Sequence, residues 1–279
     1  MKYALKTTPE RTTWNATLEM WRAADDIDLY ESAWNYDHFE PIYGERSEPC
    51  LEGWTMLAAL AQATTRIRLG CLVTGVLYRH PAVLANMAAT VDIISGGRLE
   101  LGLGSGWMER ECEAYGIRLG TVTERLDRFD EACQVIRGLL HNDVFSFAGD
   151  WYTLTDAVCE PKPVQQPHPP ICIGGAGEKR VLRSVARYAD HWNFPGGTAA
   201  DFARKRQVLA QHCADEGRDP AEVRSSVHLF VDDNNPPESL PERAAGFAEA
   251  GCDLGIVYLF PEHHTAGAVE DAAERLAGI

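Results

Sequence analysis

The chain has 279 residues, a hydrophobic fraction of 45% and a formal net charge of −15 at pH 7. This length suits one large α/β domain or two smaller ones, and the negative charge argues against a surface for nucleic acid or an anionic membrane. The eight cysteines include no C-x-x-C pair, so no metal site is expected. Without an apolar signal segment or a run of about 18 apolar residues, a cytoplasmic location and no membrane contact are expected.

In chain order, short apolar runs alternate with segments of helical periodicity. The predicted strands cover residues 3–6, 32–36, 68–74, 99–104, 171–174, 191–194, 227–231 and 254–259. After the third strand, Val83, Met87, Val91 and Ile94 predict the buried stripe of a helix that starts near Pro81. Eight strand–helix units predict an α/β fold of the (β/α)8 TIM-barrel type, with a doubly wound open sheet as the alternative.

Residues 142–170 interrupt this alternation. The segment holds four aromatic residues and then the proline-rich stretch EPKPVQQPHPP, so it is too long for an ordinary βα loop and too aromatic for a flexible linker. We expect an ordered insertion at the mouth or the side of the barrel. No composition shift marks a boundary, so residues 1–279 are predicted to form a single domain.

The second predicted strand ends beside an acid and a histidine, Asp37 and His38. The carboxyl ends of barrel strands form the active face, so this pair could supply a proton donor and a group that orients it. A structural histidine is the alternative interpretation of His38. The sequence GLGSG around Ser105 does not match the G-x-S-x-G nucleophile elbow, which leaves a hydrolase without its nucleophile.

Glycines follow four of the predicted strands, which suggests that backbone lies close against a large flat ligand. The corner GGAG, at 174–177, precedes a predicted helix, and Lys179, Arg180 and Arg183 follow it in the chain. Small residues leave backbone N–H groups accessible, and a helix N-terminus favours an anion, so the corner predicts a phosphate site. The pattern matches neither G-x-G-x-x-G nor a P-loop.

Several long stretches resemble the luciferase-like monooxygenase superfamily, in its branch of coenzyme F420-dependent oxidoreductases. They include SAWNYDHF, TTRIRLGCLVTGVLYRHPAVLANMAATVDIISGGRLELGLGSGW and EPKPVQQPHPPICIGGAGEKRVLRSVARYADHWN. The resemblance implies a luciferase-like TIM barrel with an insertion before a later strand. It also implies a deazaflavin, coenzyme F420, or FMN in sister branches, lying across the mouth.

The resemblance further implies the roles of individual residues. Asp37 and His38 would be catalytic, and residues 72–74 would form a bulge with a non-proline cis peptide against the cofactor ring. The implied cofactor-binding residues are Leu72, Val73, Thr74, Gly104, Ser105, Gly106, Gly174, Gly175, Ala176, Gly177, Phe194, Pro195, Gly196 and Gly197. The implied substrate pocket contains Tyr43, Trp107 and Glu109.

These features predict a coenzyme F420-dependent oxidoreductase that transfers a hydride between the deazaflavin and a small organic substrate. The alternatives are an FMN-dependent luciferase-like monooxygenase and a non-catalytic protein that binds F420 or a flavin. The loops at 40–52, 107–118 and 142–170 are expected to set substrate specificity. The family's habit suggests a homodimer.

Overall fold

Eight parallel strands close into a barrel in the computed structural model, which describes residues 1–278. Two further strands, β5 and β6, pair outside the barrel. In chain order the strands are β1 (Lys2–Thr7), β2 (Tyr30–Asp37), β3 (Arg68–Gly75), β4 (Leu99–Gly104), β5 (Phe145–Ala148), β6 (Thr153–Ala157), β7 (Ile171–Gly174), β8 (His191–Phe194), β9 (Arg224–Val231) and β10 (Leu254–Leu259). The barrel order is β1-β2-β3-β4-β7-β8-β9-β10, and β10 pairs with β1. This confirms the predicted (β/α)8 barrel, and the open-sheet alternative is wrong.

Helices surround the barrel. They are α1 (Trp14–Asp26), α2 (Gly53–Ala63), α3 (Pro81–Ser95), α4 (Glu109–Ala114), α5 (Val122–His141), α6 (Val181–Tyr188), α7 (Ala199–Asp215), α8 (Leu240–Glu249) and α9 (Ala266–Ala277). The first turn of α5 is fixed by a capping box: Glu124 N donates to Thr121 Oγ1 over 3.2 Å, and Thr121 N donates to Glu124 Oε2 over 2.7 Å.

The predicted stripe of α3 is wrong at both of its ends. Val83 and Ile94 are exposed, whereas Leu84, Ala88 and Val91 are buried against the barrel. The true buried face repeats at i, i+4 and i+7 from Leu84, one residue later than the predicted stripe. Small alanines carry part of this face, and a search for large apolar residues overlooks them.

The insertion at 142–170 forms an antiparallel hairpin, β5–β6, on the side of the barrel beside α5. The Glu131 carboxylate of α5 accepts the backbone N–H groups of Asp150, Trp151 and Tyr152. Farther along, Lys162 Nζ donates to carbonyl groups at the C-terminal end of α5. The insertion is therefore ordered, and of the two predicted locations it takes the side.

Strand β3 carries a bulge near its carboxyl end. Its register with β4 shifts between Cys71 and Thr74, and the peptide bond between Leu72 and Val73 is cis. Both features were expected from the family resemblance. The bulge places Val73 against two strand-end glycines: a Cβ at Gly104 would lie 2.6 Å from Val73 Cγ2, and one at Gly174 would lie 3.0 Å from Val73 Cγ1.

A polar layer fills the barrel near the amino ends of its strands. The buried Glu100 carboxylate contacts Arg68 Nε at 2.7 Å and His191 Nδ1 at 3.2 Å. Burial acts to raise the pKa of Glu100, but the two partners outweigh it and hold that pKa at about 2. His191 Nε2 lies 2.7 Å from Ser226 Oγ. These pairings satisfy groups that would otherwise be costly to bury.

Candidate functional site

A cavity of about 570 Å³ opens at the carboxyl ends of the barrel strands. This volume lies within the usual range for small-molecule and cofactor sites. Every barrel strand or the loop after it contributes. The lining residues are Lys6, Tyr36, His38, Ile42, Tyr43, Leu72, Val73, Gly75, Tyr78, Gly106, Trp107, Gly174, Gly175, Asn193, Pro195, His228, Phe230 and Tyr258.

One wall of the cavity consists mainly of backbone and short side chains. Leu72 and Val73 of the bulge contribute to it, together with Gly106, Gly174 and Gly175. Gly106 and Gly175 have φ values of +77° and +137°, which a residue with a Cβ rarely adopts. The close approach of backbone to the cavity at these positions therefore requires glycine.

His38 lies on the cavity wall and is bound from behind by Glu111 of α4. His38 Nδ1 is 3.0 Å from Glu111 Oε2, and the Glu111 side chain is fully buried. The Tyr78 hydroxyl donates to the same carboxylate oxygen, and the backbone N–H groups of Phe39 and Glu40 donate to the other. Burial acts to raise the pKa of Glu111, but the hydrogen bonds from His38 and Tyr78 dominate and lower it.

The predicted pairing of Asp37 with His38 is wrong. Asp37 is fully buried, and both of its carboxylate oxygens bind Arg79, at 2.5 Å and 3.1 Å. Arg79 also binds Glu52, the N-cap of α2. Burial raises the pKa of Asp37, and the bidentate ion pair with Arg79 opposes that rise. Asp37 thus joins the end of β2 to α2 and the β3–α3 loop, and Glu111 takes the orienting role.

The loop after His38 is pinned to the barrel by a second buried carboxylate, Glu10. It accepts the Tyr36 hydroxyl at 2.5 Å and the Tyr43 N–H at 3.0 Å, and it also accepts the Ile42 N–H. The Tyr43 ring packs on Phe260 with centroids 4.8 Å apart. Tyr43 is therefore held at the rim of the cavity.

The floor of the cavity holds a buried lysine and a histidine that the sequence analysis missed. Lys6 Nζ donates to the Leu72 carbonyl over 2.8 Å and lies 4.3 Å from the centroid of the Tyr258 ring. Burial lowers the pKa of Lys6 to about 7. Burial likewise lowers the pKa of His228 well below its usual range. A lysine inside the otherwise apolar run of β1 was the available signal.

Three predicted site residues do not face the cavity. The Thr74 hydroxyl accepts a hydrogen bond from Trp54 Nε1 over 2.8 Å, and Phe194 packs against Trp192 and Phe202 outside the barrel. Glu109 is exposed at the start of α4. The alternation of side chains along a strand explains the first two, since adjacent residues point to opposite faces. The helical turn of α4 turns Glu109 outward and Glu111 inward.

Other predicted residues do not line the cavity, although each is within two positions of a residue that does. Gly104, Ser105, Ala176, Gly177, Gly196 and Gly197 belong to this group. Trp107 does line the cavity and stands at its mouth, 58% exposed and with its ring centroid 5.7 Å from that of His38. The insertion at 142–170 contributes no residue to the cavity lining. No direct contact with the cavity therefore supports its predicted role in substrate specificity.

The corner at 174–177 precedes α6 by several residues. The Gly175 N–H donates to the Asn193 carbonyl, whereas the Ala176 and Gly177 N–H groups make no hydrogen bond within residues 1–278. Arg180 lies just before the first turn of α6. It is the N-cap, and its guanidinium binds Asp127 at 2.8 Å and Asp130 at 3.2 Å. Its charge is therefore already paired.

Neither a metal cluster nor a membrane-spanning helix is found in the part of the chain that the structure describes. Across residues 1–278, no group of three or more His, Cys, Asp or Glu side chains could hold a metal ion. No helix in the same range combines the length and apolar character needed to cross a bilayer.

The chain is similar in sequence to several characterised enzymes. The FMNH(2)-dependent dimethylsulfone monooxygenase of Pseudomonas putida is 32% identical over 172 residues, covering 62% of this chain and 46% of that protein. The phthiodiolone/phenolphthiodiolone dimycocerosates ketoreductase of Mycobacterium tuberculosis is 36% identical over 177 residues, with coverages of 62% and 45%. Pyrimidine monooxygenase RutA of Escherichia coli is 37% identical over 175 residues, covering 61% and 47%. The chain spans about half the length of these curated relatives.

Solved structures share the fold at lower identity. An F420-dependent secondary alcohol dehydrogenase, solved with an F420-acetone adduct, superimposes with a TM-score of 0.88 at 19% identity, covering 99% of this chain and 98% of that one. The coenzyme F420-dependent tetrahydromethanopterin reductase of Methanopyrus kandleri gives 0.83 at 15% identity, with coverages of 99% and 98%. A family model described as luciferase-like monooxygenase matches residues 2–277. The chain belongs to the luciferase-like monooxygenase family.

Proposed function

We propose that this protein is an oxidoreductase that binds coenzyme F420 in the cavity and transfers a hydride between it and a small alcohol or carbonyl compound. One observation carries the proposal: a proton-holding group, His38 backed by the buried Glu111, lies on the wall of a cavity large enough for a tricyclic ring. Hydride transfer to a carbonyl carbon requires a proton at its oxygen, and His38 is suited to that task.

The cavity fits a deazaflavin or flavin on physical grounds. The bulge at Leu72 and Val73 offers a wall for one ring face, and glycine at 174 and 175 lets backbone approach closely. The Ala176 and Gly177 N–H groups near the start of α6, which make no hydrogen bond within residues 1–278, suit the anionic arm of the cofactor. Bound there, the deazaflavin would supply or accept a hydride and exclude one-electron chemistry.

The three cations that follow the corner at 174–177 could bind the anionic arm of the cofactor, but they differ in their surroundings. Lys179 is exposed and Arg183 is partly exposed, and within residues 1–278 neither has a carboxylate at salt-bridge distance. Arg180 is bound to two aspartates. We therefore assign the arm to the backbone N–H groups with Lys179 and Arg183, and we leave Arg180 out.

His38 carries out the protein's part of the proposed reaction. In the reducing direction, a substrate carbonyl carbon receives the hydride, its C=O π electrons move to oxygen, and that oxygen takes the proton held by His38. Glu111 stabilises the protonated imidazole and keeps Nδ1 turned inward, which leaves Nε2 for the substrate. In the oxidising direction, His38 accepts the hydroxyl proton as the hydride leaves carbon.

The relatives support two versions of the chemistry. Two F420-dependent enzymes match this chain in shape with TM-scores of 0.88 and 0.83, and one sequence relative bears the name of a ketoreductase, which agrees with carbonyl reduction. The second candidate is an FMN-dependent monooxygenase. The dimethylsulfone and pyrimidine monooxygenases favour it, since they are 32% and 37% identical to this chain.

Cofactor titration separates these versions. Purified protein is titrated with F420 and with FMN, in oxidised and reduced forms, while quenching of cofactor fluorescence is followed. The proposal expects F420 to bind at least about tenfold more tightly than FMN, a difference of about 1.4 kcal/mol. Tighter FMN binding with oxygen consumption would favour the monooxygenase, and binding without turnover of any alcohol or ketone would favour a non-catalytic binding protein.

The role of His38 is tested by His38→Ala, with His38→Asn as a milder variant. Turnover is expected to fall about 100-fold or more, because a positioned proton donor contributes about 10²–10⁴-fold. Cofactor affinity is expected to change less than about threefold, a difference under about 0.7 kcal/mol. Equal losses in turnover and affinity would contradict the catalytic role. The homodimer that we also propose is tested by light scattering of the same samples.

A further inference from the structure

Lys6 on the cavity floor has hydrogen-bonding capacity that the protein leaves unused. A lysine ammonium carries three N–H donors, and one of them is satisfied by the Leu72 carbonyl at 2.8 Å. Within residues 1–278, no carboxylate lies at salt-bridge distance from Lys6. The Tyr258 face, 4.3 Å away, stabilises the charge but accepts no ordinary hydrogen bond. A buried cation with unused donors and a cavity before it points to an oxygen acceptor on a ligand.

His228 supplies the complementary group on the same floor. Its Nε2 is buried and has no hydrogen-bond partner within residues 1–278, and the ring packs edge-on against Tyr258 at 5.3 Å. Contact with the Pro195 carbonyl acts to raise the pKa of His228, which favours a proton on Nδ1. Burial lowers the pKa of His228, so the ring is neutral and Nε2 is an acceptor. The floor thus offers one donor group and one acceptor.

We propose that Lys6 and His228 together hold the pyrimidine edge of the bound deazaflavin or flavin ring. Lys6 donates to a ring carbonyl oxygen, and His228 Nε2 accepts the neighbouring ring N–H. This edge alternates carbonyl acceptors with an N–H donor, which matches the two groups. The inference rests on the proposed function but holds for either cofactor, since F420 and FMN share this edge.

The same placement gives Lys6 an electrostatic role. Two-electron reduction adds negative charge to the pyrimidine edge, and the charged form of Lys6 beside it stabilises the reduced form more than the oxidised form. Lys6 is therefore a positioning and charge-stabilising residue that favours reduced cofactor. His228 serves both oxidation states equally, because its N–H partner is present in both.

The test compares binding of oxidised and reduced cofactor by Lys6→Met, His228→Phe and the matched control Lys2→Met, an exposed lysine on the same strand. Lys6→Met is expected to weaken binding of oxidised cofactor about 3–10-fold through the lost hydrogen bond, and of reduced cofactor about 10–100-fold because the charge interaction is lost as well. His228→Phe is expected to weaken both forms about 3–10-fold. Lys2→Met should change neither.

The outcomes separate this inference from the proposed function. If wild-type protein binds neither F420 nor FMN, both fall together. If it binds one of them but Lys6→Met affects both oxidation states equally, or neither, the inference alone is overturned, and the floor contacts substrate instead. If Lys6→Met fails to fold, the inference is tested instead by the midpoint potential of the cofactor bound to wild-type protein. This potential must be higher than that of free cofactor, and an equal or lower potential refutes the charge-stabilising role.

Discussion

Replacing Lys6 with methionine should make the protein more stable at neutral pH. Lys6 is 4% exposed, and its ammonium is surrounded by the rings of Tyr36 and Tyr258 and by the bulge at Leu72. Methionine has nearly the same length and shape and carries no charge. The substitution therefore removes a buried cation without leaving a large cavity.

The magnitude follows from the pKa of Lys6. Burial lowers it from 10.5 to about 7, a difference that corresponds to about 5 kcal/mol of destabilisation by the charged form. Methionine leaves the Leu72 carbonyl without its partner, which costs about 1–3 kcal/mol. The expected net gain for Lys6→Met is thus about 2–4 kcal/mol at pH 7 and below.

The sign of the pH dependence is fixed by linkage. Between pH 7 and 10.5 the unfolded chain keeps the Lys6 proton and the folded protein has released it, so wild-type stability rises with pH through this window. Above this pH window Lys6 is neutral in both the folded and the unfolded protein, so its charge no longer lowers the stability of the fold. The advantage of Lys6→Met should therefore shrink by about 1.4 kcal/mol per pH unit from pH 7 upward and reverse between about pH 8.5 and 10.

Urea unfolding of wild type, Lys6→Met and Lys2→Met at pH 6, 7, 8.5 and 10 measures this difference. Other titrating groups are common to all three proteins and cancel. Lys2→Met should stay within about 0.5 kcal/mol of wild type at each pH. A Lys6→Met protein less stable than wild type at pH 7, or a difference that does not change with pH, would refute the reasoning.

Three further variants test the site and the fold. Glu111→Gln should reduce turnover about 100-fold, because His38 loses the carboxylate that binds its Nδ1; turnover close to that of wild type would contradict that role. Gly102→Ala should destabilise the barrel by about 3 kcal/mol or more, since its Cβ would lie 1.9 Å from the Cys71 carbonyl oxygen; a thermal shift below about 2 °C would contradict it. Glu131→Ala should speed hydrogen exchange at residues 149–152, because the hairpin tip loses the carboxylate that accepts its N–H groups. Turnover should not change, because the hairpin lines no part of the cavity. A large loss of turnover would argue for an indirect role of the hairpin.

The barrel could be predicted because its signals are local. Each strand is a short apolar run, and the runs at 99–104, 171–174, 191–194 and 254–259 match β4, β7, β8 and β10. Cap residues such as Thr121 act on the next turn of their own helix. Such features depend on residues that lie within a few positions of one another along the chain, so a single sequence contains the information needed to predict them.

The partners within the site could not be predicted in the same way. His38 and Glu111 are 73 positions apart, and Asp37, the immediate neighbour of His38, binds Arg79 instead. Adjacent residues on a strand point to opposite faces, so proximity along the chain separates such side chains in space. Which helix residue turns toward His38 depends on the phase of α4, and no periodic signal in a six-residue helix fixes that phase.

The two arguments about Lys6 support each other. A buried lysine without a carboxylate partner lowers stability, and a chain under no other constraint would be expected to replace it, since apolar residues fit the same space. Lys6 lines the cavity, and within residues 1–278 its ammonium has one hydrogen-bond acceptor, the Leu72 carbonyl. A residue that lowers stability at a ligand-facing position is best explained by what it does when the ligand is bound. If Lys6→Met proves more stable but loses its preference for reduced cofactor, the stability of the barrel and the chemistry of the site are in opposition at this one side chain.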